Sequence, residues 1–127
     1  MEPFVKILSV AVGGAFGAVA RHLVNASPLA KTFADFPLPT LVINVSGSFF
    51  IGFLLILLTD RFAVSESLRL ALIVGFLGAF TTFSTYEMEI FGLAKEKLFG
   101  TAVLYMAISV VAGFVAVAAG VAAAKRI

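Results

Sequence analysis

The stretch Gly75-Phe-Leu-Gly-Ala-Phe-Thr-Thr-Phe-Ser-Thr-Tyr86 places glycines, hydroxyls and aromatic rings in the middle of a hydrophobic segment. Because the bilayer core offers backbone and hydroxyl groups no water, such a tract needs protein partners, a bound ion or a wet cavity. Gly75 and Gly78 weaken a helix here, and the hydroxyls that follow can replace backbone hydrogen bonds where a helix breaks. The tract is therefore typical of a broken membrane helix or of a glycine-bent helix with ordinary packing.

The composition around this tract is that of an integral membrane protein. The chain has 127 residues, of which 61% are hydrophobic and 13% charged, whereas soluble domains carry roughly 25% charged residues. Each apolar block approaches or exceeds the roughly 20 residues that a spanning helix needs; the four blocks are approximately Phe4–Val24, Thr40–Leu58, Leu70–Leu93 and Phe99–Ala124. We predict an all-α fold in which residues 1–127 form one four-helix domain in the inner cell membrane.

The charged residues leave the orientation of this domain open. With the N-terminus on side one, five Lys and Arg residues fall on that side and four on the other; they are Lys6, Arg61, Arg69, Lys125 and Arg126 against Arg21, Lys31, Lys95 and Lys97. Orientation follows the asymmetry of these residues, which is almost absent here. Either a weak bias suffices, or the chain inserts both ways and forms an antiparallel homodimer. Small-residue stripes, Gly13 with Gly17 and Ala112 with Ala116 and Gly120, fit packing between subunits or within one.

Polar residues recur on one face of the second and fourth predicted helices. Thr40, Asn44 and Ser48 are spaced i, i+4, as are Tyr105, Ser109 and Gly113. The Asn44 amide is costly if left unpaired in hydrocarbon, so it either joins two helices by a hydrogen bond or donates to an ion in a pore. A lone Ser109 would usually bond to a carbonyl of its own helix.

The tract itself offers two kinds of ligand. A break would free main-chain carbonyls, which at membrane depth can bind a small hard cation such as sodium. Phe83 and Tyr86 lie three residues apart on one helical face. Rings presented edge-on can stabilise an anion, whereas rings presented face-on suit a cation, and the sequence leaves the two open. The absence of cysteine and the single histidine argue against a thiolate or histidine metal cluster.

Three segments together resemble the Fluc, or CrcB-type, fluoride channels: Gly78–Tyr86, Gly13–Arg21 and Thr40–Asn44. They occur in the same order and on three different helices, and the chain length, the four spans and the balanced charge also fit. The resemblance implies a non-enzymatic channel, an antiparallel dual-topology homodimer with two fluoride pathways, and a structural sodium ion at the interface of the subunits. It also implies passive efflux of fluoride through the lipid bilayer, driven by the inside-negative potential and, in acid surroundings, by ion trapping. No nucleic-acid partner is expected.

The resemblance also assigns individual residues. It implies that the main-chain carbonyls of Gly78 and Thr81 bind sodium, and that Arg21 and Glu89 lie at the vestibule. The residues that it implies for the anion pore are Asn44, Phe83, Tyr86, Ser109 and Tyr105. Thr40, on the same face as Asn44, and Ser84, between Phe83 and Tyr86 in the tract, are predicted there too. From the residues alone, snorkelling to the interface explains Arg21 somewhat better than a role as a vestibule cation that attracts anions.

One residue departs from the family pattern, which usually has phenylalanine where this chain has Tyr86. The phenol keeps the ring edge and adds a hydroxyl donor. Two other function classes remain open from the residues. A small dual-topology proton-coupled multidrug exporter needs a carboxylate in the middle of the membrane, but the first helix has no acid after Glu2, and Glu87 and Glu89 lie late in the third. A non-transporting assembly subunit would show no conductance.

Overall fold

A computed structural model describes residues 1–127, and its regular structure is entirely helical. Four segments are long and apolar enough to cross a membrane, which confirms the prediction of four spans; they are Glu2–Lys31, Leu38–Arg61, Glu66–Lys95 and Phe99–Lys125. We refer to them as the first to fourth spans. Their helices are α1 (Glu2–Asn25), α2 (Leu38–Ile56), α3 (Glu66–Arg69), α4 (Gly78–Phe80), α5 (Phe83–Lys95) and α6 (Phe99–Lys125).

Shorter turns complete the spans. A 3₁₀ turn at Pro28–Lys31 follows α1, and a wide π turn at Leu57–Arg61 ends the second span. In the third span the π-helical stretch Leu70–Leu77 joins α3 to α4, so residues 66–80 form one continuous helical rod.

The first span packs alongside residues 66–80 in the same direction. Gly13 faces the backbone of Ala71, and Gly17 faces the backbone of Phe76, so neither glycine has room for a Cβ. Gly75 of the third span packs just as closely against α1, since a Cβ there would lie 2.6 Å from the carbonyl oxygen of Val10. The small residues of α1 therefore serve packing within the subunit.

The second and fourth spans form the other parallel pair. Gly52 on α2 faces the backbone of Val117, and Gly120 on α6 faces the backbone of Phe49. This pairing sets the register that brings Ser48 beside Gly113. It also buries Tyr105 of α6 completely, in the same core as Ile43 of α2.

The third span changes backbone conformation at two threonines. Thr81 has φ −78° and ψ 156°, and Thr82 has φ −150° and ψ 122°, so both are extended between α4 and α5. Gly75 and Gly78, the positions at which the sequence suggests weakness, are themselves helical. Gly75 packs closely against α1 within the continuous helix, which ends at Phe80.

Polar contacts tie the spans together at the end of the bundle that carries both termini. Lys6 of α1 forms an ion pair of 2.8 Å with Glu66, the first residue of α3. The Arg61 guanidinium donates to the carbonyl of Lys125 near the end of α6. Positive charge at a helix C-terminus is favourable, because the last carbonyls lack helical partners.

Candidate anion and cation site

Asn44 holds the extended backbone of the third span. Its Nδ2 donates to the carbonyl of Thr82 at 2.9 Å, and its Oδ1 accepts from the amide of Thr82, also at 2.9 Å. Both backbone groups of Thr82 are thereby satisfied by a side chain of another span, and one hydrogen on Nδ2 remains free. Asn44 thus joins two spans, which is the first of the two alternatives that the sequence left open, and its second hydrogen stays free.

The same arrangement removes the helical partners of two carbonyls. In a continuous helix the amide of Thr82 would bond to Gly78 and that of Thr85 to Thr81. The Thr82 amide instead bonds to Asn44, and the Thr85 amide bonds to the Thr82 hydroxyl at 3.3 Å. The carbonyls of Gly78 and Thr81 therefore receive no hydrogen bond from the protein. These are the two residues predicted to bind sodium.

An open cleft of about 370 Å³ lies beside these carbonyls. No charged residue lines it, and its walls come from the second and third spans: Asn44, Gly47, Ser48, Ile51, Ile73, Leu77, Gly78, Thr81, Thr82 and Phe83. The Thr81 hydroxyl points back along its own helix and donates to the Leu77 carbonyl at 2.8 Å. The polar groups left for a ligand here are main-chain carbonyls, the free hydrogen of the Asn44 amide and the hydroxyl proton of Thr82, whose Oγ1 only accepts from Thr85.

Aromatic rings form a chain from the cleft toward the start of α6. The rings of Phe83 and Tyr86 lie 5.9 Å apart, and Tyr86 meets Tyr105 edge to face at 5.1 Å. Tyr105 in turn meets Phe36, in the loop before α2, at 5.5 Å and 74°. Phe83 is 72% exposed, whereas Tyr86 is 8% exposed and Tyr105 is fully buried. The chain of rings therefore runs from the open surface into the core.

The buried end of this row of rings, at Tyr105, is hydrogen-bonded to a carboxylate. The Tyr105 hydroxyl donates to Oε1 of Glu89 at 3.1 Å, and Thr40 is buried in the same part of the core. Glu89 also borders a cavity of about 460 Å³, which Asp35 and Glu96 share. We call it the vestibule cavity; Asn25, the last residue of α1, also lines it.

Three α6 positions follow the predicted polar face. Tyr105 is bonded to Glu89, while the Ser109 hydroxyl is buried and has no hydrogen-bond partner. Gly113 faces Ser48, whose Oγ would lie 3.5 Å from a Cβ at Gly113 and donates to the Asn44 carbonyl at 2.7 Å. Ser109 is the single buried side chain without a partner, so it marks a place where a ligand or water would be accommodated.

The remaining predicted residues lie outside this cluster. Ser84 is exposed on α5, and Arg21 is half-buried near the end of α1 without an ion pair. Arg21 lies four residues from Asn25, which borders the vestibule. The structure thus brings Asn44, Tyr86, Tyr105, Ser109 and Thr40 together in the junction of the second, third and fourth spans.

Two residues of the site were not predicted in their observed roles. Thr82 bonds to Asn44 and caps the start of α5. The sequence does contain one indication of this role, because threonine is a favourable N-cap residue before a helix. Phe36 packs on Tyr105 from a loop rich in proline, and nothing in its local sequence distinguishes it from a lipid-facing phenylalanine.

Comparison with known proteins identifies relatives over most of the chain. Residues 8–121 match the model of the family described as "CrcB-like protein, Camphor Resistance (CrcB)". A relative from Solibacter usitatus, named fluoride-specific ion channel FluC, is 41% identical over 121 residues, which cover 95% of this chain and 99% of the relative. A relative of the same name from Hydrogenobaculum is 45% identical over 113 residues, or 89% of this chain and 92% of the relative. Another of that name, from Methylococcus capsulatus, is 43% identical over 122 residues; the match covers 96% of this chain but 54% of that longer relative.

Proposed function

This chain belongs to the CrcB-like family of membrane proteins, and from that premise we propose that it is a fluoride-selective channel which exports fluoride passively from the cytoplasm. Relatives that it matches over nearly their whole length are named fluoride-specific ion channels. The protein is a multi-pass protein of the cell membrane. The single observation that carries the proposal is the buried, unpartnered hydroxyl of Ser109 within a cluster of aromatic edges and neutral donors.

Neutral donors suit fluoride for a physical reason. The ion is small and strongly hydrated, so a pore must replace its water with hydrogen-bond donors, yet the ion must also be able to leave. A buried lysine or arginine would trap it, and the junction of the second, third and fourth spans contains none. The free hydrogen of Asn44, the hydroxyls and the ring edges are weaker partners that permit exit.

The exposed cleft supports a homodimer. It leaves carbonyls of Gly78 and Thr81 and the largely exposed ring of Phe83 at an open surface, which is a costly arrangement in hydrocarbon. A second copy in the opposite orientation would cover both carbonyls and ring, and the even distribution of Lys and Arg permits such insertion. The pores would then lie at the junction of two subunits, each of which supplies its aromatic chain.

The same cleft supports structural sodium at the dimer interface. Carbonyl oxygens are hard neutral ligands that bind alkali cations, and the carbonyls of Gly78 and Thr81 have lost their helical amides. A two-fold arrangement would double these ligands to four. Sodium bound there would supply positive charge that holds the facing carbonyls together.

The carboxylates do not favour the proton-coupled exporter. Glu89, the half-buried acid of the third span, borders the vestibule cavity, where Tyr105 donates to it. An exporter of cations needs its exchangeable carboxylate in the middle of the membrane.

Efflux from liposomes tests the proposed function directly. Protein reconstituted in vesicles loaded with potassium fluoride should release fluoride, detected with an ion-selective electrode, when valinomycin provides a path for potassium. Vesicles loaded with potassium chloride serve as the selectivity control. Protein-containing vesicles that release fluoride no faster than empty ones would contradict the proposal, and release of chloride at the same rate would contradict fluoride selectivity.

A further inference from the structure

The Tyr86 hydroxyl is buried but poorly satisfied. The residue is 8% exposed, and its hydroxyl reaches the Met106 carbonyl of α6 at 3.5 Å. That distance exceeds the 2.5–3.0 Å of a normal O–H···O bond, so the interaction is weak. The ring itself is held firmly by edge contact with Tyr105 at 5.1 Å. The ring contact thus fixes the position of Tyr86, while its hydroxyl proton remains available to another acceptor.

Ser109 lies beside this phenol. It follows Met106 by three residues, which places it on the face of α6 that the Tyr86 hydroxyl reaches at the Met106 carbonyl. The Ser109 hydroxyl is nevertheless buried and unpartnered. Two adjacent hydroxyls, one weakly bonded and one unbonded, therefore converge in a place where unsatisfied donors are costly.

We infer that the hydroxyls of Tyr86 and Ser109 form a two-donor site for a small dehydrated anion. In this site the phenol releases the Met106 carbonyl and donates to the anion together with Ser109. The inference rests on the proposed function, because it assigns this site to the fluoride path. The neighbouring ring of Phe83, 5.9 Å from Tyr86, can offer a positive edge to the same anion.

The site has a specific consequence for transport. A phenol donates a stronger hydrogen bond than a ring C–H, so Tyr86 holds the anion more tightly than phenylalanine would. Tighter binding lowers the fluoride concentration that half-saturates the path. It also slows exit, because an ion must leave each site before the next can enter. Tyr86 is therefore a determinant of affinity rather than of the fold.

Hydroxyl deletion tests the inference. Tyr86→Phe and Ser109→Ala each remove one donor and leave the surrounding packing nearly unchanged. Initial fluoride efflux is measured from liposomes loaded over a series of fluoride concentrations. Each variant should raise the half-saturating concentration about fivefold, the change expected from one net hydrogen bond. The double variant should show less than the product of the single effects, because an anion that loses one donor shifts away from the other.

Controls separate the possible failures. Ser9→Ala removes a hydroxyl that bonds to the Val5 carbonyl of its own helix, and it should leave the half-saturating concentration unchanged. Unfolding temperatures of the variants in detergent verify that they fold. A raised half-saturating concentration in Ser109→Ala supports the site even where Tyr86→Phe folds poorly.

Three outcomes would contradict the claims. A wild-type channel that conducts fluoride, with a folded Tyr86→Phe variant of unchanged half-saturating concentration, would overturn this inference alone. A wild type without fluoride efflux would instead overturn the proposed function. Fully multiplicative effects in the double variant would show two separate sites and overturn the shared one.

Discussion

Asn44 and Thr82, 38 residues apart, are joined by two hydrogen bonds of 2.9 Å that make the amide side chain a substitute for a neighbouring backbone. The pairing lets the third span leave helical geometry without leaving the Thr82 amide or carbonyl unsatisfied in the membrane. It also diverts the amide that would otherwise cover the Gly78 carbonyl. One side chain thus supports the extended segment and leaves the Gly78 carbonyl without its helical partner.

Asn44→Ala should destabilise the protein and reduce fluoride efflux. The variant loses two hydrogen bonds and leaves both Thr82 backbone groups without partners, which costs on the order of 2–4 kcal/mol. The measurement is the thermal unfolding midpoint in detergent, together with efflux from liposomes. Ser46→Ala is the matched control, because its hydroxyl bonds only to the Ile43 carbonyl of its own helix at 3.1 Å. An Asn44→Ala protein as stable as the Ser46→Ala protein would contradict this role.

Alanine should have opposite effects at Gly120, which lies in the contact between α2 and α6, and at Gly92, which is open on α5. Gly120→Ala places a methyl group against the Phe49 backbone and should cost about 1–3 kcal/mol, because the helices must separate. Gly92→Ala meets nothing within 4 Å and should stabilise α5 by about 0.5–1 kcal/mol through reduced backbone entropy in the unfolded chain. Chemical unfolding of both variants in the same detergent measures the difference. Equal stability of the two would show that α2 and α6 do not pack as described.

The sequence predicts the four spans well because hydropathy acts locally. Each span is a long run of Leu, Val, Ala and Phe, and the observed ends fall close to the predicted ones. The polar faces of α2 and α6, whose residues are spaced i, i+4, also follow from helical periodicity alone. Asn44, Tyr105 and Ser109 could therefore be assigned to shared faces before any tertiary contact was known.

The position of the extended residues and the partner of the α1 glycines depend on long-range contacts, which the sequence does not reveal. The glycines of the third span suggest a weak point near Gly75 and Gly78, but Gly75 is used for the approach to Val10. The extended residues lie instead at Thr81 and Thr82, where Asn44 supplies replacement hydrogen bonds. Similarly, the pair Gly13 and Gly17 fits intermolecular and intramolecular packing equally well by pattern, and only the contacts with residues 66–80 decide between them.

Tyr105→Phe should slow fluoride efflux while the fold is retained. The ring contacts with Phe36 and Tyr86 remain, but the hydroxyl that donates to Glu89 at 3.1 Å is lost. Removal of one hydrogen bond to a charged group, worth about 1.5–3 kcal/mol, leaves the Glu89 carboxylate less restrained beside the vestibule, where it repels an entering anion. Efflux rate and unfolding midpoint are measured together. An unchanged rate would exclude Tyr105 from the anion path.

Cysteine labelling tests dual topology, and the chain has no native cysteine to interfere. Ala34→Cys and Ala63→Cys introduce exposed thiols in loops at opposite ends of the bundle without altering the Lys and Arg balance. With a membrane-impermeant maleimide applied to intact cells, about half of each variant should be labelled if both orientations insert equally. Permeabilised cells give the fully labelled control. Complete labelling of one variant and none of the other would establish a single orientation.

Removal of sodium should slow efflux and weaken the dimer. The carbonyls of Gly78 and Thr81 lack protein donors, so without a cation their facing dipoles would repel across the proposed interface. Dialysis against N-methylglucamine at equal osmolarity should lower both the efflux rate and the unfolding midpoint, and restored sodium should reverse both changes. A ligand present at one hundred times its Kd stabilises the folded state by about 2.7 kcal/mol, which is measurable as a midpoint that rises with the logarithm of sodium concentration. A midpoint and a rate that do not depend on sodium would show that the two carbonyls bind no structural cation.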